Sequence, residues 1–571
     1  MFSVKTYFSK IPRLTRHFST TPFRLNLSDK VFLTDKYDKF TFNQIFNLSN
    51  KLSQNLSNHY EKSDLNGEKI AVLCSNNYTY LISCLAVWMS NGVPLGINKN
   101  YPNNLIEYFI NDSKCKLVIN GITGQETNSH ELNTLLDKNK VINLELNEST
   151  FYKEIPQTLV SNPYEKIQNL LNLDEMRQKE GIILYTSGTS GPPKGVVLTR
   201  SNILRTIETL VDAWKISSND SLLHVLPLNH VHGLIYCLLT YLYAGCHVDM
   251  LPKFDAQKVW HKLLDKNNGI NTFMGVPTVY VQLVNYYLND LELQKKYPVD
   301  YIKEIFRSKI RLIVSGSAPL NVKTHREWDE ITGYKILERY GMTEIGLGLS
   351  NPYIESGDRK RVAGAVGRPY GNTRVRIVEP NEDLDSKHVL VESGPDDDKF
   401  FEKSEFLFGE LQVKGDMVFR EYLNKPLQTK ETFSDDGWFK TGDTAEFLKD
   451  QKIYKLIGRT SVDVIKSGGY KISALDIEKE LLGHEMIDDV AVMGLKDPVW
   501  GQKIFALIVL KDVLKNKFNL DEFKAWCKRR LPKQSVPKLV KIIQKMPRNQ
   551  LGKVNKKELI KIYEQEYNSK E

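Results

Sequence analysis

The residues best suited to chemistry lie in Tyr185-Thr186-Ser187-Gly188-Thr189-Ser190-Gly191-Pro192-Pro193-Lys194-Gly195. Four Ser/Thr hydroxyls, three glycines and one lysine sit between two apolar runs, Gly181–Leu184 and Val196–Leu198, which both read as buried strands. Glycine permits positive φ and lets successive backbone N–H groups turn inward; hydroxyls bond phosphate oxygens, and Lys194 adds positive charge. This is the chemistry of a loop that cradles a polyphosphate. It departs from the Gly-x-x-x-x-Gly-Lys-Ser/Thr loop, because Lys194 follows Pro193 and precedes Gly195. The other reading of such a composition is a flexible linker, against which the tightly flanking strands argue.

Four more clusters accompany it. They are Glu338-Arg339-Tyr340-Gly341-Met342-Thr343-Glu344, Ser315-Gly316-Ser317-Ala318-Pro319, the pair Thr441-Gly442-Asp443 and Gly458-Arg459, and Pro547-Arg548-Asn549-Gln550-Leu551-Gly552-Lys553. Taken alone, each has a plain structural reading as a strand end, a tight turn or a solvated basic tail. Together, and in this order, they resemble the acyl-adenylate-forming enzymes: acyl-CoA synthetases, luciferases and peptide-synthetase adenylation domains. The resemblance runs from Val31 to Leu559.

The resemblance implies roles for particular residues. Thr186, Ser187, Gly188, Thr189, Ser190, Gly191 and Lys194 would cradle the phosphates of ATP. Gly316, Ser317, Ala318, Glu338, Tyr340 and Gly341 would line the adenine, with Tyr340 stacked on it. Thr343 would contact the α-phosphate. Glu344 with Thr186 would hold Mg2+, a hard cation that prefers oxygen ligands. Asp443 and Arg459 would clamp the ribose, and Lys553 would bridge the attacking carboxylate and the phosphate. Ser467, Gly468, Gly469 and Tyr470 would form the tunnel for coenzyme A, with a hinge at Ser461.

The identity of the acid is written less openly. His230 occupies the place of an acyl-pocket histidine or aromatic in relatives, and a core or loop histidine is its other reading. Arg311 opens an apolar strand, where spacing alone suits a solvated strand end. Three longer strings, Lys309–Ala318, Arg361–Gly367 and Gly458–Lys471, resemble the malonyl-CoA synthetases. In those enzymes arginines bind a second carboxylate, and Arg–carboxylate pairing is strong and directional. The expectation is therefore malonate, with methylmalonate as the alternative, read by Arg311 first and Arg361 second. Two rivals remain: a short- or medium-chain fatty acyl-CoA synthetase, and a non-catalytic nucleotide- or acyl-CoA-binding protein.

These residues need a scaffold. From Val31 to Pro252 short apolar runs alternate with amphipathic stretches, which predicts βαβ units and an α/β fold. The expectation is a large N-terminal domain of parallel, helix-covered sheets with a small β subdomain over Val375–Val418. A small, mobile α+β C-terminal domain follows. The boundaries fall at 27–460 and 461–571. Asn128–Leu171 reads as a loose surface excursion, and Asp396–Glu405 as an exposed charged insertion.

The chain has 571 residues and a formal net charge of +9. Before Asp29 there is no acidic residue, while Lys5, Lys10, Arg13, Arg16 and Arg24 are interleaved with hydroxyl and apolar side chains. Residues 1–26 have the composition of a mitochondrial transit peptide, which predicts the import machinery as a partner and the matrix as the destination. A basic arm for nucleic acid or membrane is the other reading. The remaining charge suits anionic ligands such as ATP and coenzyme A, and neither nucleic-acid binding nor stable membrane insertion is expected. Cys74, Cys84, Cys115, Cys237, Cys246 and Cys527 show no Cys-x-x-Cys or zinc spacing and read as buried thiols.

Overall fold

The two apolar runs that flank the hydroxyl-rich loop form adjacent antiparallel strands, Glu180–Thr186 and Lys194–Thr199, with Thr186 opposite Lys194. In the computed structural model, residues 29–122, 129–154, 165–166, 169–170, 178–186, 192–357, 359–379, 388–403, 407–468, 470–511, 518–548 and 554–568 are described. Ser187–Gly191, Gly469, Lys553 and the segment 1–26 lie outside them.

The strand pair belongs to a seven-stranded sheet whose other members include Val93–Gly96, Lys69–Leu73, Leu117–Ile122 and Ile142–Asn147. These four are joined to each other and to Glu180–Thr186 in parallel. An eight-stranded sheet carries Ser221–His224, Thr272–Gly275, Leu312–Ser315 and Leu337–Met342 side by side in parallel. Its two outermost pairings are antiparallel, so both large sheets are mixed rather than purely parallel. A six-stranded antiparallel sheet spans Arg374–Arg459.

Long apolar runs such as Leu312-Ile313-Val314, fully buried, are what a strand covered on both faces requires. Helices supply the cover. Phe42–Tyr60 starts with a reciprocal capping box between Thr41 and Gln44. Tyr78–Met89 is buried along nearly its whole length.

The segment after Arg459 folds around apolar cores of its own. Ile465, Ile477, Val492, Ile504, Ile508 and Phe523 share one, and Met493, Phe505, Leu507 and Leu559 share another. This C-terminal lobe touches the larger one through α-helix Ala474–Leu481. Lys455 Nζ lies 3.0 Å from Asp476 Oδ2, and Asn321 Nδ2 donates to Lys479 O at 3.0 Å.

One sequence reading is corrected, and the exposed charged insertion gains a strand. The 128–171 excursion contains helix Ser129–Lys138 and edge strand Ile142–Asn147. Only Leu146 of that strand is buried, so its pattern is too polar to announce a strand. Within Asp396–Glu405, Asp398–Phe400 is a strand paired with Val389–Ser393, and Asp398 is bound by Arg368 at 2.8 Å. Its charges are answered within the fold. Among the described residues no helix is long and apolar enough to cross a membrane, and all six cysteines are free and buried.

Candidate active site

Strand register assembles the site. Val314 pairs with Leu337 and Ser315 with Glu338, so Leu312–Ser315 ends beside the start of Leu337–Met342, which runs on past it to Met342. The turn Gly316-Ser317-Ala318 and the segment Tyr340–Glu344 therefore border one crevice, where open α/β sheets bind ligands. Ser317 is held there at φ +72°, a conformation costly for a residue with a Cβ.

Asp443 and Arg459 lie directly opposite each other on adjacent antiparallel strands. Arg459 Nε sits 2.9 Å from Asp443 Oδ1, and Tyr340 OH donates to Asp443 Oδ2 at 2.6 Å. Burial raises the Asp443 pKa, while Arg459 and the Tyr340 hydrogen bond oppose the shift. A carboxylate oriented by a cation and an aromatic hydroxyl is a ready acceptor for a vicinal diol.

A second cluster stands at the mouth of the hydroxyl-rich loop. Lys194 Nζ lies 4.6 Å above the Tyr422 ring, and Tyr422 OH donates to Glu344 Oε1 at 3.0 Å. Glu344 is buried, whereas Thr186 and Thr343 are half-buried. A buried carboxylate beside a strand-end hydroxyl fits a cation shared with phosphate oxygens, since Mg2+ needs only one or two protein carboxylates. Glu338 accepts from Gly364 N at 2.7 Å, and burial pushes its pKa up to about 7. Gly341 is required because a Cβ there would lie 2.2 Å from Gly346 O.

On the smaller lobe, Ser467, Gly468 and Tyr470 form a turn in which Gly468 N donates to Trp500 O at 2.9 Å and Tyr470 is exposed. The exposed Ser461 stands at the tip of the turn joining the lobes. Asp463 N donates to Arg459 O at 2.8 Å, and Arg459 N to Asp463 Oδ2 at 2.9 Å, closing that turn. Between the lobes opens a cavity of about 890 Å³ lined by Lys323, Arg326, Lys455, Lys479, Arg530 and Tyr470.

The acyl side of the site differs from the sequence expectation. Arg311 precedes Leu312–Ser315 and so stands at the end opposite the crevice. It binds Asp220 through Nε at 2.6 Å and Nη2 at 2.5 Å, and also donates to Trp214 O. Arg361 is spent on the backbone carbonyls of Pro352, Lys335 and Tyr353. Neither is available to read a substrate, because each guanidinium is already engaged by the protein.

The arginine that sequence reasoning missed is Arg339. It is 3% exposed, and its Nε and Nη2 have no hydrogen-bond partner. Its Cζ lies 4.5 Å over the Tyr236 ring. A Cβ on Gly316 would come within 2.4 Å of its Nε, so glycine there makes room for it. The available signal was strand alternation: Glu338 and Tyr340 share one face, which turns Arg339 to the other. His230 is exposed on its loop. The buried neighbour of this group is His232, 3.2 Å from Ser317 Oγ through Nδ1.

Known proteins resemble this chain over most of its length. A family model described as AMP-binding enzyme matches residues 24–423, and one described as AMP-binding enzyme C-terminal domain matches 476–553. A mitochondrial malonate–CoA ligase of Mus musculus is 40% identical over 94% of this chain and 89% of its own. A malonate–CoA ligase of Arabidopsis thaliana is 33% identical over 88% and 79%. The ATP-bound crystal structure of MatB from Rhodopseudomonas palustris superposes with a TM-score of 0.76, at 28% identity, over 95% of this chain and 97% of that one.

Two outcomes are expected from this geometry. Arg311→Ala leaves the Asp220 carboxylate unpaired at 2% exposure. It lowers stability by about 2–3 kcal/mol in urea unfolding, while the KM values for ATP and acid stay unchanged. Asp443→Ala raises the KM for ATP roughly 10- to 100-fold in an initial-rate assay, with little change for the acid.

Proposed function

This chain belongs to the AMP-binding enzyme family, and on that premise we propose that it ligates malonate to coenzyme A through an acyl-adenylate. A carboxylate oxygen of malonate attacks the α-phosphorus of ATP, forming malonyl-AMP and releasing pyrophosphate. The coenzyme A thiol sulfur then attacks the acyl carbon, and AMP leaves, giving malonyl-CoA.

The observation that carries the choice of acid is the open edge of Arg339. Nε and Nη2 lie on one side of the guanidinium and present parallel N–H donors, the geometry that binds both oxygens of a carboxylate. Both are buried and unpartnered. An uncompensated buried cation costs several kcal/mol, and a second carboxylate on the substrate supplies the missing charge. A fatty acid would instead lay an alkyl chain against the guanidinium, which disfavours that rival. Methylmalonate carries the same two carboxylates and remains the alternative substrate.

The other roles concern the nucleotide. Asp443, oriented by Arg459 and Tyr340, accepts the ribose hydroxyls, and Tyr340 offers its ring to adenine beside Gly316, Ser317 and Ala318. Thr343 and Lys194 would meet the phosphates, and the composition of Ser187–Gly191 suits the same task. Glu344 and Thr186 would hold Mg2+, which when bound neutralises phosphate charge. Lys553, on the smaller lobe, brings a cation to the attacking carboxylate.

Two half-reactions at one site need a change of partner, and rotation of residues 461–571 about Ser461 supplies it. The turn Ser467–Tyr470 would then guide the pantetheine arm, and the basic cavity between the lobes would take its phosphates. Residues 1–26 direct import into the mitochondrial matrix; their composition and the mitochondrial names of relatives support this.

In a coenzyme A-dependent AMP-release assay, malonate is turned over well ahead of butyrate and octanoate. Equal turnover of octanoate would sink the reading. Arg339→Leu lowers kcat/KM for malonate by roughly 100- to 1000-fold, the loss expected for a desolvated charge pair, with the KM for ATP preserved.

A further inference from the structure

Tyr422 touches both charged groups at the mouth of the hydroxyl-rich loop, Lys194 and Glu344. It lies on the short strand Glu421–Tyr422, which pairs antiparallel with Lys194–Thr199 and sets Tyr422 opposite Val196. Leu423 N donates to Gly195 O at 2.8 Å on one side of it, and Phe419 N donates to Glu344 O at 2.7 Å on the other. Tyr422 N donates to Thr429 Oγ1 at 2.9 Å. The chain 419–423 therefore ties the strand that begins at Lys194 to the turn that holds Glu344. Tyr422 is buried between these anchors, at 6% exposure.

Its side chain makes two contacts of different kinds. The ring centroid lies 4.6 Å from Lys194 Nζ, a distance at which the π face attracts a cation. A ring holds an ammonium without neutralising it, so an arriving phosphate meets the full charge. The hydroxyl donates to Glu344 Oε1 at 3.0 Å. Burial and the Glu344 charge hold the Tyr422 pKa above its ordinary value, so the hydroxyl keeps its proton and acts as the donor. A donor fixed on one oxygen sets the plane of a carboxylate and directs its remaining lone pairs.

We propose that Tyr422 is a positioning residue for the nucleotide: its ring presents the Lys194 ammonium to phosphate, and its hydroxyl aims the Glu344 carboxylate at the metal ion the phosphates share. This rests on the reading that the crevice binds ATP with Mg2+. Tyr422 acts through its two neighbours, and each part of the side chain serves one of them.

The test compares ATP binding by wild type, Tyr422→Phe and Tyr422→Leu in calorimetric titrations without malonate, once with EDTA and once with excess Mg2+. Phe keeps the ring and deletes the hydroxyl, whereas Leu deletes both. With EDTA, the Phe variant should bind ATP within about twofold of wild type, and the Leu variant about fivefold more weakly. With Mg2+, the Phe variant should fall about tenfold or more below wild type, and the Leu variant further still. The melting temperature of the Phe variant should match that of wild type. The proposal is overturned if the Phe variant stays within about twofold of wild type with Mg2+, if it loses as much affinity as the Leu variant with EDTA, or if affinity falls only in step with melting temperature. Should the Leu variant not fold, the contrast between EDTA and Mg2+ in the Phe variant decides. A wild-type protein that binds no ATP under either condition would instead remove the nucleotide reading itself.

Discussion

Charge taken out of water costs several kcal/mol per ion unless a partner meets it, and the pattern of met and unmet charge organises this protein. Asp220 is met by Arg311, Asp443 by Arg459, and Lys556 by both Asp463 and Glu478, the last at 2.7 Å. Each of these pairs closes within the chain. Arg339 is the exception: its Nε and Nη2 are buried with no hydrogen-bond partner among the described residues. The distinction between structural and substrate-reading arginines lies in which guanidinium the fold leaves incomplete.

The same constraint joins the Asp443–Arg459 pair to the smaller lobe. Arg459 reads Asp443 with its side chain and gives its backbone N–H to Asp463, whose other oxygen receives Lys556. Lys556 opens the final helix, Lys556–Asn568, three positions after Lys553. A contiguous series of charge-assisted bonds thus runs from Asp443 through the interlobe turn into the smaller lobe. The contacts between the lobes themselves are partly exposed, as with Lys455 and Asp476 at 29% and 39%. Such pairs contribute little to stability.

Much of this was legible in the chain. Buried parallel strands announce themselves as unbroken apolar runs, and Lys69–Leu73, Thr272–Gly275 and Leu312–Ser315 stand where those runs predict. Edge strands do not. Ile142–Asn147 has one solvent-facing side and a polar composition, and Asp398–Phe400 is exposed along most of its length. Their pairing comes from neighbours distant in sequence, a contribution that local pattern cannot display.

The motif strings carry chemistry because particular side-chain types at short spacing suffice for it: glycines and hydroxyls around phosphate, an aspartate two positions after threonine in a tight turn. Those properties are local, and they identify the kind of reaction from the chain alone. Selection of the acid is not local. Arg311 sits one residue before a strand that leads into the site, yet it belongs to Asp220, ninety-one positions away. Arg339 lies inside a motif noted for its neighbours, and its role emerges from strand pleat, from the missing Cβ of Gly316, and from the ring of Tyr236 on a distant helix. Side-chain direction and the identity of the nearest counter-charge are set when sheets and helices close on one another, and only there does one buried guanidinium stand out as lacking a partner.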